Sequence, residues 1–108
     1  DLSCYPGPEF DQLTEAQKQR LSEPFTISTD NNRVGYQLHE VIENDLQHIL
    51  TSSVLPGTVQ LTPSGKLIVL MKDCQVTGGY PRVLQLSEYA ISRLSQKMAG
   101  EAVRFIFN

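Results

Sequence analysis

The sequence has no cluster of basic residues, and this absence limits what the protein can bind. Its 9 lysines and arginines are scattered and are outnumbered by 12 aspartates and glutamates, which gives a formal net charge of −3. A nucleic-acid partner requires a concentrated positive surface that displaces counterions from phosphates. We therefore expect no nucleic-acid partner.

The sequence has no long hydrophobic run either. The most apolar run, Leu67–Met71, is far too short to cross a bilayer. A signal peptide would have a positively charged start followed by an apolar stretch, and the sequence shows no such pattern. We expect a cytoplasmic protein without a membrane partner. The first residue is Asp1 instead of Met, which indicates a fragment or a processed chain.

Cysteine and histidine are scarce, and the motifs of several known chemistries are missing. Cys4 and Cys74 lie far apart in the sequence. A single disulfide between them is one alternative, but we expect both to be small buried residues in a reducing compartment. His39 and His48 lack the spacing of a metal-ligand set, and no CxxC motif occurs. Also missing are a Gly-x-Ser-x-Gly motif and a phosphate-binding loop with its lysine. The sequence thus predicts no metal site and identifies no catalytic residue.

The chain does contain many short strand patterns separated by turns. Its 108 residues, 40% hydrophobic and 19% charged, suit one globular domain with one modest core. Alternating or β-branched runs predict strands at Leu2–Tyr5, Phe25–Ser28, Val34–Leu38, Val59–Leu61, Leu67–Met71, Val83–Leu86 and Val103–Phe107. Turn-forming residues separate them at Pro6–Pro8, Asp30–Asn32 and Pro63–Gly65.

Two short helices accompany these strands. Thr14 and Gln17 have the spacing of a capping box, and that helix runs to about Ser22. Ser87 is the expected N-cap of the second helix, and Gly100 is the expected glycine just after its end.

Segment 40–51 suits either a helix face or an excursion followed by a strand near Gln47–Ser52, and its β-rich surroundings favour the excursion. With that assignment the strands greatly outnumber the helices. The sequence therefore predicts a mainly β domain, a barrel or closed sheet with two helices covering its open ends.

Two polar segments are the candidate functional regions. The Gln75–Pro81 loop carries a Gly-Gly pair, which permits close backbone approach, beside a hydroxyl, an amide and a phenol. The Ser28–Tyr36 turn includes Arg33, whose guanidinium suits a carboxylate. Each also has an ordinary interpretation: a plain turn, and a polar hairpin with Tyr36 in the core. Arg82 could add charge to a backbone anion nest in the loop, or be a solvated strand residue.

These segments also carry a family resemblance. The stretches concerned are Pro6–Glu9, Leu21–Ser28, Asn32–Tyr36, Gly57–Gln60, Pro63–Gly65, Gln75–Pro81 and Gly100–Phe105. In that order they resemble the C-terminal part of the C subunit of bacterial 5-oxoprolinase. This family is also described as biotin-dependent carboxyltransferase, allophanate hydrolase subunit 2 or KipI antagonist. The Thr-Gly-Gly-Tyr-Pro and Arg-x-Gly-Tyr elements are specific only in combination.

The resemblance implies a cyclophilin-like β-barrel, with residues 1–108 as one domain at the C-terminal end of a larger subunit. It implies two partners, a second barrel-type subunit (the KipI-like B subunit) and an ATP-using subunit. Together they would open 5-oxoproline to glutamate at a shared site. ATP would then serve the whole complex, and no cofactor is expected on this chain alone. The substrate-binding candidates that it implies are Arg33, Tyr36, Gln75, Thr77, Gly78, Gly79 and Tyr80.

The same resemblance leaves two alternatives open. One is a carboxyltransferase component of the urea carboxylase kind, in which biotin would be used. The other is a non-catalytic regulatory module that binds a KipI-like partner. Val76 stands where relatives commonly carry Thr, which removes one hydroxyl from the loop. As an expected fragment, the isolated chain should be inactive.

Overall fold

The computed structural model describes residues 1–32, 34–75 and 77–107, and this part of the chain is mainly β. Its strands are β1 (Leu2–Pro6), β2 (Phe25–Asn31), β3 (Gly35–Val41), β4 (Ser52–Ser53), β5 (Thr58–Leu61), β6 (Lys66–Leu70), β7 (Thr77–Gly78), β8 (Arg82–Leu86), β9 (Ala102–Val103) and β10 (Phe105–Phe107). Its helices are α1 (Glu15–Arg20), α2 (Glu88–Leu94) and a single 3-10 turn at Phe10–Gln12. None of the described helices is long and apolar enough to span a membrane.

The main sheet nearly closes into a barrel through the C-terminal segment. Its strand order is β10-β1-β8-β5-β6-β3-β2-β9. The two edge strands, β9 and β10, are consecutive in the chain: β9 pairs with β2, and β10 pairs in parallel with β1. The change of partner occurs at Arg104, whose carbonyl oxygen accepts a hydrogen bond from the Leu2 amide at 2.7 Å. The single C-terminal strand predicted from sequence is therefore two strands, because each half has a different neighbour.

The core fills the inside of this barrel with the alternating apolar residues of the strands. On neighbouring strands, Tyr36 and Val59 both lie in register with Val69, and all three are buried. The rings of Phe25 and Phe105 are fully buried and lie 5.8 Å apart between centroids. Burial of each such side chain stabilises the fold by roughly 1.5–3 kcal/mol. Helix α2 packs on β1 and β8, as expected of a covering helix.

Both helix starts agree with their capping residues, but the predicted end of the second helix is wrong. The Thr14 hydroxyl accepts from the Gln17 amide, and the Gln17 side chain accepts from the Thr14 amide, which completes a capping box. The Ser87 hydroxyl accepts from the Ala90 amide at the start of α2. Helix α2 ends at its C-cap Ser95, before Gly100 is reached. With φ of 90°, Gly100 instead turns the chain towards β9.

The strand predicted near Gln47–Ser52 is also absent, and only Ser52–Ser53 forms β4. The segment before it follows an irregular path that side chains fix. The Asn44 amide nitrogen donates to the carbonyl oxygens of Ile42 (3.0 Å) and Thr62 (3.2 Å). These bonds replace the ladder hydrogen bonds that a regular strand would have made.

Candidate functional site

The glycine loop, Gln75–Pro81, is part of a small two-stranded ribbon. Within it, Thr77 and Gly78 form β7 and pair with β4. The side chains of Gln75 and Thr77 are exposed, so both can reach a ligand or a partner. Val76 lies outside the described residues. The loop is thus held by ladder hydrogen bonds and is more constrained than the plain turn that was its ordinary interpretation.

The second half of the loop is held from the side by segment 47–54. The carbonyl oxygen of Gly79 accepts a hydrogen bond from the Ile49 amide at 2.9 Å. The ring of Tyr80 packs edge-on against His48, with 5.3 Å between ring centroids. Both contacts fix the backbone path, and the half-buried Tyr80 keeps part of its surface accessible.

Gly78 lies directly over a buried polar side chain of the main sheet, Gln60. A Cβ atom at Gly78 would come within 2.5 Å of the Gln60 amide nitrogen and 3.5 Å of Val54 Cγ1. Real Cβ atoms do not approach other atoms as closely as the first of these distances. A larger residue here would force the end of the Gln60 side chain to move, so the glycine leaves room for that carboxamide. The φ of Gly78 is not positive, so the backbone conformation itself does not call for glycine.

The polar hairpin, the turn between β2 and β3, differs from the predicted Asp30–Asn32 turn. Strand β2 continues through Asp30 to Asn31. Asn32 makes the turn, because its side-chain oxygen accepts from the amides of Val34 (2.8 Å) and Gly35 (3.1 Å). Arg33, a candidate for pairing with a substrate carboxylate, lies outside the described residues.

The hairpin borders an open groove of about 500 Å³ on the outer face of the sheet. Residues 29–32, 34, 35, 37 and 68 line this groove. Tyr36 is on the other side of β3, where it is only 9% exposed and belongs to the core. Of the two interpretations of Tyr36 from sequence, the core position is the one in the structure.

The groove and the glycine loop occupy the same outer face. Gln37, Ile68 and Gln60 are cross-strand neighbours in one row over β3, β6 and β5. Gln37 and Ile68 line the groove, and Gln60 lies under Gly78. One row of side chains therefore connects the hairpin to the loop. The five loop candidates lie together in one loop, none of them lines the groove, and Tyr36 lies on the opposite, core side of β3.

Glu9 and Arg82 form an ion pair beside the ribbon, where Arg82 begins β8 directly after the glycine loop. Arg82 donates from Nε to Glu9 Oε1 and from Nη2 to Glu9 Oε2, each at 2.8 Å. Its Nη1 donates to the Ser53 carbonyl oxygen at 3.0 Å, and its backbone amide donates to Glu9 Oε1 at 2.8 Å. The Glu9 and Arg82 side chains are 10% and 18% exposed, so the interpretation of Arg82 as a solvated residue is wrong.

The pair shifts the titration of both of its members. The hydrogen bonds from Arg82 hold the pKa of the Glu9 carboxyl below its usual value, against the opposing effect of burial. The same bonds raise the pKa of Arg82. Since all three guanidinium nitrogens are engaged, Arg82 does not offer a free charge to a ligand in the loop.

Sequence reasoning missed two of these residues, Glu9 and Gln60. Both are polar, and they are only 8% and 6% exposed. Each stands at the end of a stretch that carries the family resemblance, Pro6–Glu9 and Gly57–Gln60. That position was the available signal, but neither residue has a local motif of its own.

The described site supplies hydrogen-bonding groups and a shaped backbone, but no evident nucleophile. No group of histidines, cysteines and carboxylates within the described ranges could hold a metal ion. Both cysteines are free. Burial raises the pKa of the Cys4 thiol to about 11, and it also raises the pKa of the Cys74 thiol. Cys4 is buried as predicted, whereas Cys74 is only half-buried, which differs from the prediction. Neither thiol is activated as a thiolate would need to be.

Comparisons with known proteins agree on a family. The family model described as carboxyltransferase domain, subdomain A and B, matches residues 1–107. The C subunit of Escherichia coli 5-oxoprolinase is 35% identical over an aligned region that covers 97% of this chain and 35% of that protein. The C subunit of Haemophilus influenzae 5-oxoprolinase is 31% identical over 83 residues, covering 75% of this chain and 27% of that protein. This chain therefore spans about a third of the length of these relatives.

Solved structures give the same fold. A crystal structure of TTHA0988 matches with a TM-score of 0.79 and 27% identity, covering 97% of this chain and 20% of that one. The Kluyveromyces lactis urea carboxylase matches with a TM-score of 0.84 over 97% of this chain and 10% of that one. Its identity is only 15%, so this likeness shows the fold alone.

Proposed function

The chain belongs to the family described as carboxyltransferase domain, subdomain A and B, and on that premise we propose that it is the C-terminal barrel portion of a protein like the C subunit of 5-oxoprolinase. In the whole protein it would supply one wall of a shared site at which 5-oxoproline is opened to glutamate. The observation that carries the proposal is the 35% identity to the C subunit of a 5-oxoprolinase over 97% of this chain.

The chemistry of the described site supports a shared site over a self-contained one. The loop offers the Thr77 hydroxyl, the Gln75 amide and the Tyr80 phenol, which can bind and orient a small polar substrate. Hydrolysis of a lactam also needs an activated nucleophile, and the described residues supply none of the usual kinds. The missing groups would come from the rest of the subunit and from its partners. The isolated chain should accordingly show no turnover.

The candidate residues have distinct proposed roles. Arg33 would pair with the substrate carboxylate or with a structural one. Gly78 and Gly79 would let substrate approach the backbone, while Thr77 and Tyr80 donate hydrogen bonds. Tyr36, which belongs to the core, would act indirectly, by holding β3 from the core side.

The partners and cofactors of the complex are part of the proposal. A second barrel-type subunit would complete the site, and an ATP-using subunit would bind the nucleotide. Arg82, which directly follows the glycine loop, is already bound to Glu9 and to the Ser53 carbonyl oxygen, so it does not offer its charge to a triphosphate. This supports the proposal that the other subunit binds ATP.

A second candidate function is a component of a biotin-dependent carboxyltransferase. It is favoured by the description of the matching family model, which names a carboxyltransferase domain. Under this proposal the ureido group of biotin, held by another part of the complex, would approach the same wall. Sensitivity of turnover to avidin separates the two functions, since only the second depends on biotin.

The test uses the complete complex with 5-oxoproline and ATP, and it measures glutamate release. We expect Arg33→Ala and Tyr80→Ala to lower turnover at least tenfold while the complex stays assembled. Matched controls are Arg104→Ala and Tyr89→Ala, which remove exposed side chains away from the loop and should leave turnover unchanged. Unchanged turnover in both site variants would refute the site assignment. Binding of a KipI-like partner without any turnover would instead favour a regulatory module.

A further inference from the structure

Strand β5 and the residue just after it carry three buried polar side chains on the outer face, and their hydrogen bonding differs. Thr58, Gln60 and Thr62 are 4%, 6% and 8% exposed. The Thr58 hydroxyl donates to Gln85 Oε1 at 2.9 Å and accepts from the Leu55 amide at 3.1 Å. The Thr62 hydroxyl accepts from the Lys66 amide at 3.1 Å. Gln60, between them, has no hydrogen bond from its carboxamide to any other described residue.

Most polar groups as buried as Gln60 are paired within the protein, because a fully sealed amide without a partner costs roughly 1–3 kcal/mol. An apolar residue of similar size would fill the same space without any need for a partner. No sealed and unpartnered side-chain polar atom occurs among the described residues, so the Gln60 carboxamide keeps an opening to the outside.

The position of Gln60 indicates where that opening leads. Its amide nitrogen faces Gly78, the residue of the glycine loop at which a Cβ atom would come within 2.5 Å of it. On the other side, its cross-strand neighbour Ile68 lines the groove beside the polar hairpin. The carboxamide thus lies between the glycine loop and the groove, with a glycine making room for it.

A primary carboxamide presents a donor and an acceptor side by side. It is matched by a ligand that also carries N–H and C=O on one edge, as a lactam or a ureido group does. A carboxylate offers acceptors only, and an ammonium donors only, so neither uses both halves of the group. From this we infer that Gln60 is a binding residue that recognises the –NH–C(=O)– edge of the ligand at the glycine loop.

This inference deepens the proposed function and rests on the same site. If the substrate is 5-oxoproline, Gln60 binds its lactam edge, while Arg33 remains the candidate for its carboxylate. If the ligand is instead urea or the ureido ring of biotin, the same edge is recognised. The shared chemistry is the amide edge, and the experiment separates its sources.

The experiment compares the wild-type complex with Gln60→Met, which keeps the length of the side chain and removes both hydrogen-bonding groups. With 5-oxoproline and ATP we expect KM to rise roughly 10- to 100-fold with a much smaller change in kcat, as for the loss of two hydrogen bonds in a site built to make them. The thermal midpoint should stay the same or rise, because the change removes no hydrogen bond to a described residue and places an apolar side chain of similar length in a mostly buried position. Gly78→Ala displaces the carboxamide and should raise KM in the same way.

The matched control is Thr62→Val, a neighbouring buried polar residue whose hydroxyl is already paired. It should lower the thermal midpoint and leave KM unchanged. A Gln60→Met complex with wild-type KM, or with a lower thermal midpoint and no change in KM, would overturn the inference, since Gln60 would then be structural only.

Direct binding separates this inference from the proposed function. Calorimetric titrations of wild-type and Gln60→Met complexes would use 5-oxoproline, 2-pyrrolidinone, urea, biotin and proline, of which proline lacks the amide edge. Weakened binding of any of the first four in the variant supports the inference even when no glutamate is released. Glutamate release with equal affinities in the two complexes would leave the proposed function standing and refute the role of Gln60. Failure of the wild-type complex to bind any of the four amide compounds would refute that role as well.

Discussion

Removing Glu9 should destabilise the domain by more than any exposed carboxylate could. The carboxylate accepts three hydrogen bonds from Arg82, two from the guanidinium and one from the backbone amide, each at 2.8 Å. Breaking a buried pair by removing one partner costs roughly 3–5 kcal/mol, since it leaves an uncompensated charge. Because Arg82 retains 18% exposure, we expect the lower end, about 3 kcal/mol for Glu9→Ala. That loss would lower Tm by roughly 13 °C.

The measurement is urea unfolding followed by far-UV circular dichroism, because the chain has no tryptophan for a fluorescence signal. Replacing both partners, in Glu9→Met with Arg82→Met, should cost less than either single replacement, since no charge is then left unpaired. An exposed carboxylate supplies the control: Glu88→Ala on α2 should change stability by under about 1 kcal/mol. A cost for Glu9→Ala as small as that of Glu88→Ala would refute the reasoning.

The same pair predicts how stability depends on pH. The pKa of Glu9 in the folded chain is below its usual value of 4.5, so its carboxylate favours the folded state. This contribution is fully present above that usual value and is lost as pH falls through the lowered folded pKa. Glu9→Gln cannot titrate, so it should show a weaker loss of stability between neutral pH and strong acid. Parallel acid profiles for the two proteins would contradict the assigned pKa shift.

Three further predictions concern folding and reactivity. Gly7→Ala should destabilise the domain by several kcal/mol, because a Cβ atom there would lie 2.3 Å from the Arg82 carbonyl oxygen. Gly79→Ala is the control: the nearest atom to its Cβ would be 3.7 Å away, so packing should cost under about 1 kcal/mol. The midpoints of urea unfolding of the two variants test this difference. Thr14→Ala should cost about 1 kcal/mol in the same assay through loss of the N-cap of α1, and Thr14→Ser should restore most of it. Cys4 is fully buried, and the pKa of its thiol is raised to about 11. It should therefore react with a thiol reagent near pH 8 only as fast as the domain unfolds. Rapid labelling of Cys4 in the native protein would contradict its burial.

Strand positions follow from the sequence where a strand has one buried face and one open face. In β3, Tyr36 and Leu38 are buried while their neighbours are less so, and β6 shows the same alternation at Leu67 and Val69. Alternation fails as a guide in β5, all four residues of which are buried. Gly78 in the ribbon of β4 and β7 lies over Gln60 on the outer face of β5. The residues of β5 themselves carry no pattern that predicts burial of this second face.

Long-range pairing set the other limit on prediction. Glu9 and Arg82 are 73 positions apart, so nothing local in the sequence indicates that they meet. The C-terminal strand was predicted in the right place, but its division at Arg104 depends on two partners, β1 and β2, that lie far away in the chain. Each of these features is decided by closure of the barrel and not by local propensity.

The glycine loop shows why a motif can be found in a sequence before its purpose can be stated. Gly-Gly predicted a backbone that something approaches closely, and the neighbour at Gly78 is the Gln60 side chain from β5. The space that Gly78 leaves is therefore occupied by a residue outside the loop, and a smaller residue in place of Gln60 would not need it. If Gln60 binds the amide edge of a ligand, the pair forms one unit: the glycine provides the space, and the carboxamide uses it. Replacing either residue should then weaken the same ligand, whereas two independent features would give separate effects on stability and on binding.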